Sequence, residues 1–206
     1  MTTTTPILII GAGFAGLGMG IQLRRSGRDD FLIIERASDV GGTWRDNHYP
    51  GIACDVPSHL YSFSYLPKPD WSRVFSPGAE IHAYMQKCAR DEGLLPKIHF
   101  DTDMIESRWD GGAGHWVVET SKGVYHAKIL ITGTGHLADG RMPDVEGIDT
   151  FTGDSFHSAD WDHDVELAGK RIGVVGSGAS AIQIVPEMQK VASELVVFQR
   201  SAAYMI

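Results

Sequence analysis

The sequence predicts an α/β fold with parallel strands, and three observations predict it. A short β-branched run, Pro6–Ile10, leads into a glycine-rich turn and then a helical stretch. The same order of strand, glycine turn and helix recurs from Arg171. Glycine is also in excess, 24 of 206 residues, against a usual level of about 7%. In a chain with no glycine repeat, that excess marks tight backbone turns.

Each element follows from its local pattern. After Gly11-Ala12-Gly13-Phe14-Ala15-Gly16, a helix runs to about Ser26, and Gly27 stops it. Phe31–Glu35 is a second buried strand. Residues 37–77 carry five prolines and read as loop, with Gly78–Glu92 helical and ended by Gly93. Met104–Trp109 and Trp116–Thr120 flank Asp110-Gly111-Gly112-Ala113-Gly114, which predicts a hairpin. Lys128–Thr132 is another short strand. Arg171–Val175, Gly176-Ser177-Gly178-Ala179-Ser180-Ala181, a helix to about Val191 and a strand Glu194–Gln199 repeat the first unit. Pro186 inside that helix predicts a kink or break. Thr2–Thr5 reads as low complexity. The polar, proline- and glycine-containing stretch from Leu137 to Asp164 divides the chain into domains at 1–137 and 165–206, joined by 138–164.

Composition narrows the function. The net charge of −8 argues against nucleic-acid binding, which needs a basic face. No apolar run approaches the roughly 20 residues of a membrane span. The first six residues carry no basic group of the kind a signal peptide shows. Two cysteines, Cys54 and Cys88, are too few for a disulfide framework, which suggests a reduced, cytoplasmic setting. The histidines lack metal-ligand company, so no metal is expected. Asp160, Asp162 and Asp164 read as a solvated face.

The two turns carry the chemistry. A dinucleotide's pyrophosphate needs backbone N–H groups at a helix start, with no Cβ in the way. Gly11, Gly13 and Gly16 fit those roles, and Gly20 lets the helix lie close to the sheet. Glu35 follows Gly13 by 22 residues, near the spacing of about 20 at which an acid meets the ribose hydroxyls. The second turn has Gly176 and Gly178 but Ala181 in third place. Arg200, also 22 residues beyond its Gly178, cannot accept from a hydroxyl but suits a 2′-phosphate. The first turn therefore reads as an FAD site and the second as an NADPH site of a Rossmann-like two-dinucleotide flavoprotein. Hydride passes from nicotinamide to flavin in such a pair. Disulfide reductases of this plan need two nearby cysteines, and Cys54 and Cys88 are 34 positions apart.

Two linker motifs resemble one family. Phe151-Thr152-Gly153-Asp154-Ser155-Phe156-His157-Ser158-Ala159-Asp160-Trp161-Asp162 is similar to the FxGxxxHxxxW fingerprint of Baeyer–Villiger monooxygenases, the class B flavoprotein monooxygenases. Gly41-Gly42-Thr43-Trp44, Tyr49-Pro50-Gly51 and Asp55 resemble the GGxW…YPG…D signature of the same family. The resemblance implies an enzyme that uses NADPH, FAD and O2, through a flavin C4a-peroxide, to convert a ketone into an ester or lactone. It implies catalytic roles for Asp55, beside the flavin and paired with an arginine, and for His157, as a linker residue. The cofactor-binding set it implies is Gly11, Gly13, Phe14, Ala15, Gly16, Glu35, Arg36, Gly42, Thr43, Trp44, Asp55, Met104 and Gly135 for FAD. For NADPH it is Gly176, Ser177, Gly178, Ser180, Arg200 and Ser201. Trp71, Trp109 and Trp116 read as ordinary core residues. N- or S-oxygenation and a non-catalytic dinucleotide-binding role both stay open.

Members of that family are typically much longer. The sequence is therefore expected to be a truncated form, with a partial NADP domain and no arginine for Asp55. Uncovered sheet edges are expected, and a completing chain or a homo-oligomer is left open as partner.

Overall fold

The computed structural model describes residues 2–202. They form two compact units: residues up to Arg45 with Phe63–Leu66 and Ile81–Ala138, and Asp46–Ser62 with Pro67–Glu80 and the residues from Asp139 onward. The segment 46–62, which the sequence reading placed in the first domain, clusters with the second unit.

The first unit is a six-stranded mixed sheet. In chain order its elements are β1 (Thr2–Ile10), α1 (Phe14–Arg25), β2 (Phe31–Ile34), most of the short helix α2 (Thr43–Asp46), α3 (Gly78–Asp91) from Ile81 on, β3 (Ile98–His99), β4 (Met104–Asp110), β5 (His115–Thr120) and β6 (Gly123–Thr132). The strand order is β3-β2-β1-β6-β5-β4. β1 is parallel to both β2 and β6, and β4-β5-β6 is an antiparallel meander. Two strands exceed their predicted lengths for one reason. Thr2–Thr5 is β-branched and pairs with Val124–Ala127, so both β1 and β6 extend toward their starts.

Both long helices end alike. The Gly27 and Arg28 amides bond back to Arg24 and Leu23, and the Gly93 and Leu94 amides to Arg90 and Ala89. Gly27 and Gly93 have φ of +82° and +66°, the left-handed turn that closes a helix and that glycine adopts without penalty. α1 buries Gly16, Leu17, Gly20 and Ile21 on one face. A Cβ at Gly20 would come 3.1 Å from Ile33 and 3.2 Å from Leu94, so the helix does lie close to the sheet. The Asp110 carboxylate organises the hairpin turn by accepting the Gly112 and Ala113 amides. Trp109 departs from the core reading: it lies on the edge strand β4 and is half exposed, edge-on to Trp116.

The second unit holds the parallel pair β7 (Arg171–Val175) and β8 (Glu194–Phe198), with α4 (Ala179–Met188) between them in sequence. Pro186 does not break α4. Proline forgoes only its own amide bond to the carbonyl four residues earlier, and the Gln189 amide still bonds to Val185; the helix ends at Met188, short of the expected Val191. Tyr49, Ile184 and Met188 form the core of this unit, with Ile52, Trp161, Leu167, Ile172 and Leu195 packed on them. Val175, Val196, Val197 and Phe198 are exposed on the two strands. No helix among the described residues is long and apolar enough to cross a membrane.

Candidate functional site

The first glycine turn sits at the end of β1, where the strand order reverses: the chain leaves β1 for β2 and β3, then returns as β6 on the other side. That crevice beyond the strand ends is where open α/β sheets bind ligands. The glycines do two different jobs there. A Cβ at Gly16 would lie 1.8 Å from the Gly11 carbonyl oxygen, and one at Gly11 (φ +92°) 2.8 Å from the Gly133 oxygen. These two positions serve the chain's own packing. A Cβ at Gly13 would meet only the Gly42 Cα, at 3.9 Å, so Gly13 keeps clear a space the protein does not itself fill. As N-cap of α1, Gly13 offers no capping side chain, and the first turn, with Phe14 and Ala15, holds no acid. Uncapped helix amides favour an anion.

Glu35 is buried and closes the turn. Its carboxylate accepts the Ala12 amide at 2.7 Å and the Ala37 amide at 3.0 Å, and pairs with Arg45 at 3.1 Å. The loop beyond is held in turn. Gln86 donates to Asp39, and His82 lies 2.9 Å from the Val40 carbonyl and 3.2 Å from Asp39. Gly41 donates to Ala12, and Gly42 (φ +51°) backs onto Gly13. Arg45, Asp39, His82 and Gln86 were not singled out from sequence, and they are too dispersed to give a spacing signal. Gly133 was also missed; its amide caps Ile10 and its missing side chain admits the Gly16 amide. The run Thr132-Gly133-Thr134-Gly135 was the available hint.

The remaining first-unit candidates are dispersed around this frame. Thr43 and Gly135 are exposed and Trp44 is half-buried. Arg36 is exposed and donates to the Ala138 carbonyl. Met104 packs its side chain on the sheet core of Leu8, Ile10 and Ile34.

The second turn repeats the first in dihedral detail. Gly13 and Gly178 have φ, ψ of −79°, −169° and −78°, −174°. Gly11 and Gly176 both have positive φ, and each donates to the last residue of its neighbouring strand, Ile34 or Phe198. A Cβ at Gly178 or Gly176 would meet nothing within 4 Å. The difference lies at the strand end. Where the first turn is gripped by Glu35, the Ser177 hydroxyl accepts from Gln199 and donates to the Ser201 carbonyl. Arg200 and Ser201 are exposed, and Ser180 is half-buried in the first turn of α4.

Asp55 is exposed, and among the described residues it has no ion pair. His157 caps the short turn Ser158–Asp160, its Nδ1 accepting the Ala159 amide at 3.1 Å. Trp161 packs edge-on to Phe156 and onto the Tyr49 cluster. The fingerprint residues thus do structural work in this unit. Cys54 and Cys88 are free and buried, and burial pushes both thiols above their ordinary range. No group of three or more His, Cys, Asp or Glu among the described residues could hold a metal.

Two dinucleotide-type turns on a mixed α/β frame define the class of two-dinucleotide-domain oxidoreductases. The family model described as pyridine nucleotide-disulphide oxidoreductase matches residues 8–204, and the chain belongs to that family. It is 50% identical over 97% of its length to a Baeyer–Villiger monooxygenase of Streptomyces coelicolor, and 45% identical over 97% to one of Pseudomonas aeruginosa. It spans 38% of each of those relatives. A solved steroid monooxygenase in its oxidised form with NADP superposes with a TM-score of 0.88 at 40% identity, over 99% of this chain and 40% of that one. A complex of OTEMO with FAD and NADP gives 0.87 at 35% identity, over 96% and 39%.

Proposed function

We propose that the chain is the dinucleotide-binding part of an FAD- and NADPH-dependent Baeyer–Villiger monooxygenase. The observation that carries this reading is the pair of dihedrally equivalent, uncapped glycine turns, one gripped by an acid and one followed by an arginine. The relatives' names and the bound NADP and FAD of the solved structures support it.

The residues fit the cofactors. Gly11, Gly13 and Gly16, with the Phe14 and Ala15 amides, would receive the FAD pyrophosphate, and Glu35 keeps lone-pair capacity for a ribose hydroxyl. Arg36, Gly42, Thr43, Trp44, Met104, Gly135 and Asp55 complete the proposed FAD set. Gly176, Ser177, Gly178 and Ser180 would hold NADPH, with Arg200 and Ser201 on its 2′-phosphate. Bound flavin supplies the two-electron chemistry that connects NADPH to O2. Asp55 would orient a cation near the reacting ring, and His157 would hold the linker through its cap. The substrate class is a small ketone, and O2 is the co-substrate.

A second reading, dinucleotide binding without oxygenation, rests on His157 and Trp161 serving as a turn cap and a packing residue. The test is FAD retention read from the flavin absorbance, then NADPH oxidation and product analysis with a ketone. The chain is expected to bind FAD, to lose it in Gly13→Asp, and to oxidise NADPH slowly with hydrogen peroxide as product. Yellow protein after Gly13→Asp would overturn the FAD assignment. Stoichiometric ester would overturn the second reading, and sulfoxide from a thioether in place of ester would redirect the substrate class.

A further inference from the structure

We infer that Gln183 is a positioning residue that ties the Asp55 loop to the helix of the second glycine turn. The inference rests on the proposed NADPH site and on Asp55 as a functional acid.

Gln183 lies on α4, five residues beyond the N-cap Gly178, or about 7.5 Å along the helix axis. Its amide makes three bonds to one distant segment. Oε1 accepts the Tyr49 hydroxyl at 3.1 Å and the Ala53 amide at 3.2 Å, and Nε2 donates to the Ala53 carbonyl at 2.9 Å. Both main-chain groups of Ala53 are thus read by one side chain, two residues before Asp55. The segment is fitted to the helix at a second place. A Cβ at Gly51 (φ +85°) would lie 2.6 Å from the Gln183 carbonyl oxygen, so backbone meets backbone there. Tyr49 itself is buried on Ile184 and Met188, and His48 Nδ1 lies 2.8 Å from His163 Nε2.

The arrangement makes a short rigid path. A phosphate on the α4 amides fixes the first turn of the helix. The helix carries Gln183, and Gln183 holds Ala53, two residues before Asp55, from one side, while the Cys54 amide bonds to the Ser76 carbonyl and the Gly78 amide to the Ile52 carbonyl on the other. Gln183 is a polar residue within Ala181-Ile182-Gln183-Ile184-Val185, where an apolar side chain would pack as well; three satisfied hydrogen bonds explain its presence. Asp55 has no side-chain ion pair or hydrogen bond among the described residues, so the anchored backbone at Ala53 fixes where its Cα stands while the carboxylate turns about its own side-chain bonds.

The experiment is amide hydrogen exchange on the whole chain with and without NADP+, with affinity measured by calorimetry. In the wild type, NADP+ is expected to slow exchange at Ala53–Val56 by tenfold or more. Gln183→Met keeps the volume and removes the three bonds. It should abolish that slowing while NADP+ affinity changes by less than about threefold, within the scatter of distant substitutions. Tyr49→Phe, which removes one bond and leaves the amide pair to Ala53, should keep most of the slowing and serves if Gln183→Met fails to fold. Equal slowing in Gln183→Met, or NADP+ binding to the wild type with no change at Ala53–Val56, would overturn the inference. Absence of NADP+ binding to the wild type would sink the NADPH reading instead. Gln183 is then judged without ligand, where unchanged Ala53 exchange in Gln183→Met overturns the positioning role.

Discussion

At the residue scale, Gly13 and Gly16 look alike in sequence but guard different things. A Cβ at Gly16 runs into the Gly11 oxygen at 1.8 Å, so Gly16→Ala must move backbone and should cost about 3 kcal/mol or more in urea unfolding. Gly13 has φ of −79°, which alanine adopts, and an open Cβ direction. Gly13→Ala should leave stability within about 1 kcal/mol, or raise it by restricting the unfolded chain, yet weaken FAD at least tenfold by standing in the phosphate's approach. Equal loss of stability in both would show that Gly13 is only a folding glycine. At the second turn, Arg200→Ala should weaken NADPH by about 1.5–3 kcal/mol, the scale of a charge-assisted hydrogen bond, and leave NADH nearly unchanged. Calorimetric titration of both nucleotides checks it, and equal losses would remove Arg200 from the 2′-phosphate.

At the element scale, the start of α3 is tied to the loop before it by one carboxylate. Glu80 accepts the Ser72 amide at 3.1 Å and the Ser72 hydroxyl at 2.6 Å and pairs with Lys68 at 3.0 Å. Burial alone would raise its pKa, but the Ser72 and Lys68 bonds prevail and hold it down to about 2. Since the folded value lies below the ordinary 4.5, this contribution is fully present above about pH 4.5 and fades as pH falls toward 2. Glu80→Gln should therefore be less stable than wild type at pH 6, and the gap in urea midpoint should close between pH 4.5 and 2. A gap that does not depend on pH would show that the glutamate acts only as a neutral hydrogen-bond acceptor. The sequence made some of these elements legible and hid others, for physical reasons. Gly27 and Gly93 announced their helix ends because only a positive φ closes the turn that way. The threonines at 2–5 were hidden because a strand made of them is fixed by its partner 122 positions on, not by local pattern. Gln183 was hidden for the same reason: its bonds span 130 and 134 positions. Spacing showed Gly11, Gly13 and Gly16, whereas the Arg45, Asp39, His82 and Gln86 frame behind them exists only once the chain has folded.

At the scale of the whole molecule, β1 lies at the centre of its sheet, and this bears on the order in which the chain can be built. Its pairing with β2 begins at Ile7 with Phe31, 24 positions away, but its longer pairing with β6 joins Thr2 to Val124 and Ile10 to Thr132. A ribosome adding roughly 5–20 residues per second needs about 6–24 s to cover that distance. For that interval Leu8 and Ile10, buried against Val118 and Tyr125 in the finished sheet, have no meander to cover them. Loop-closure entropy makes such late, long-range pairing slow even in the released chain. The nascent protein thus passes through a state in which the central strand of its sheet has one open edge, and the last residues of β6 decide when that edge closes. Ribosome-stalled chains ending before Gly123 should be cut readily within β1 by added protease, and chains long enough to free Thr132 from the exit tunnel should resist.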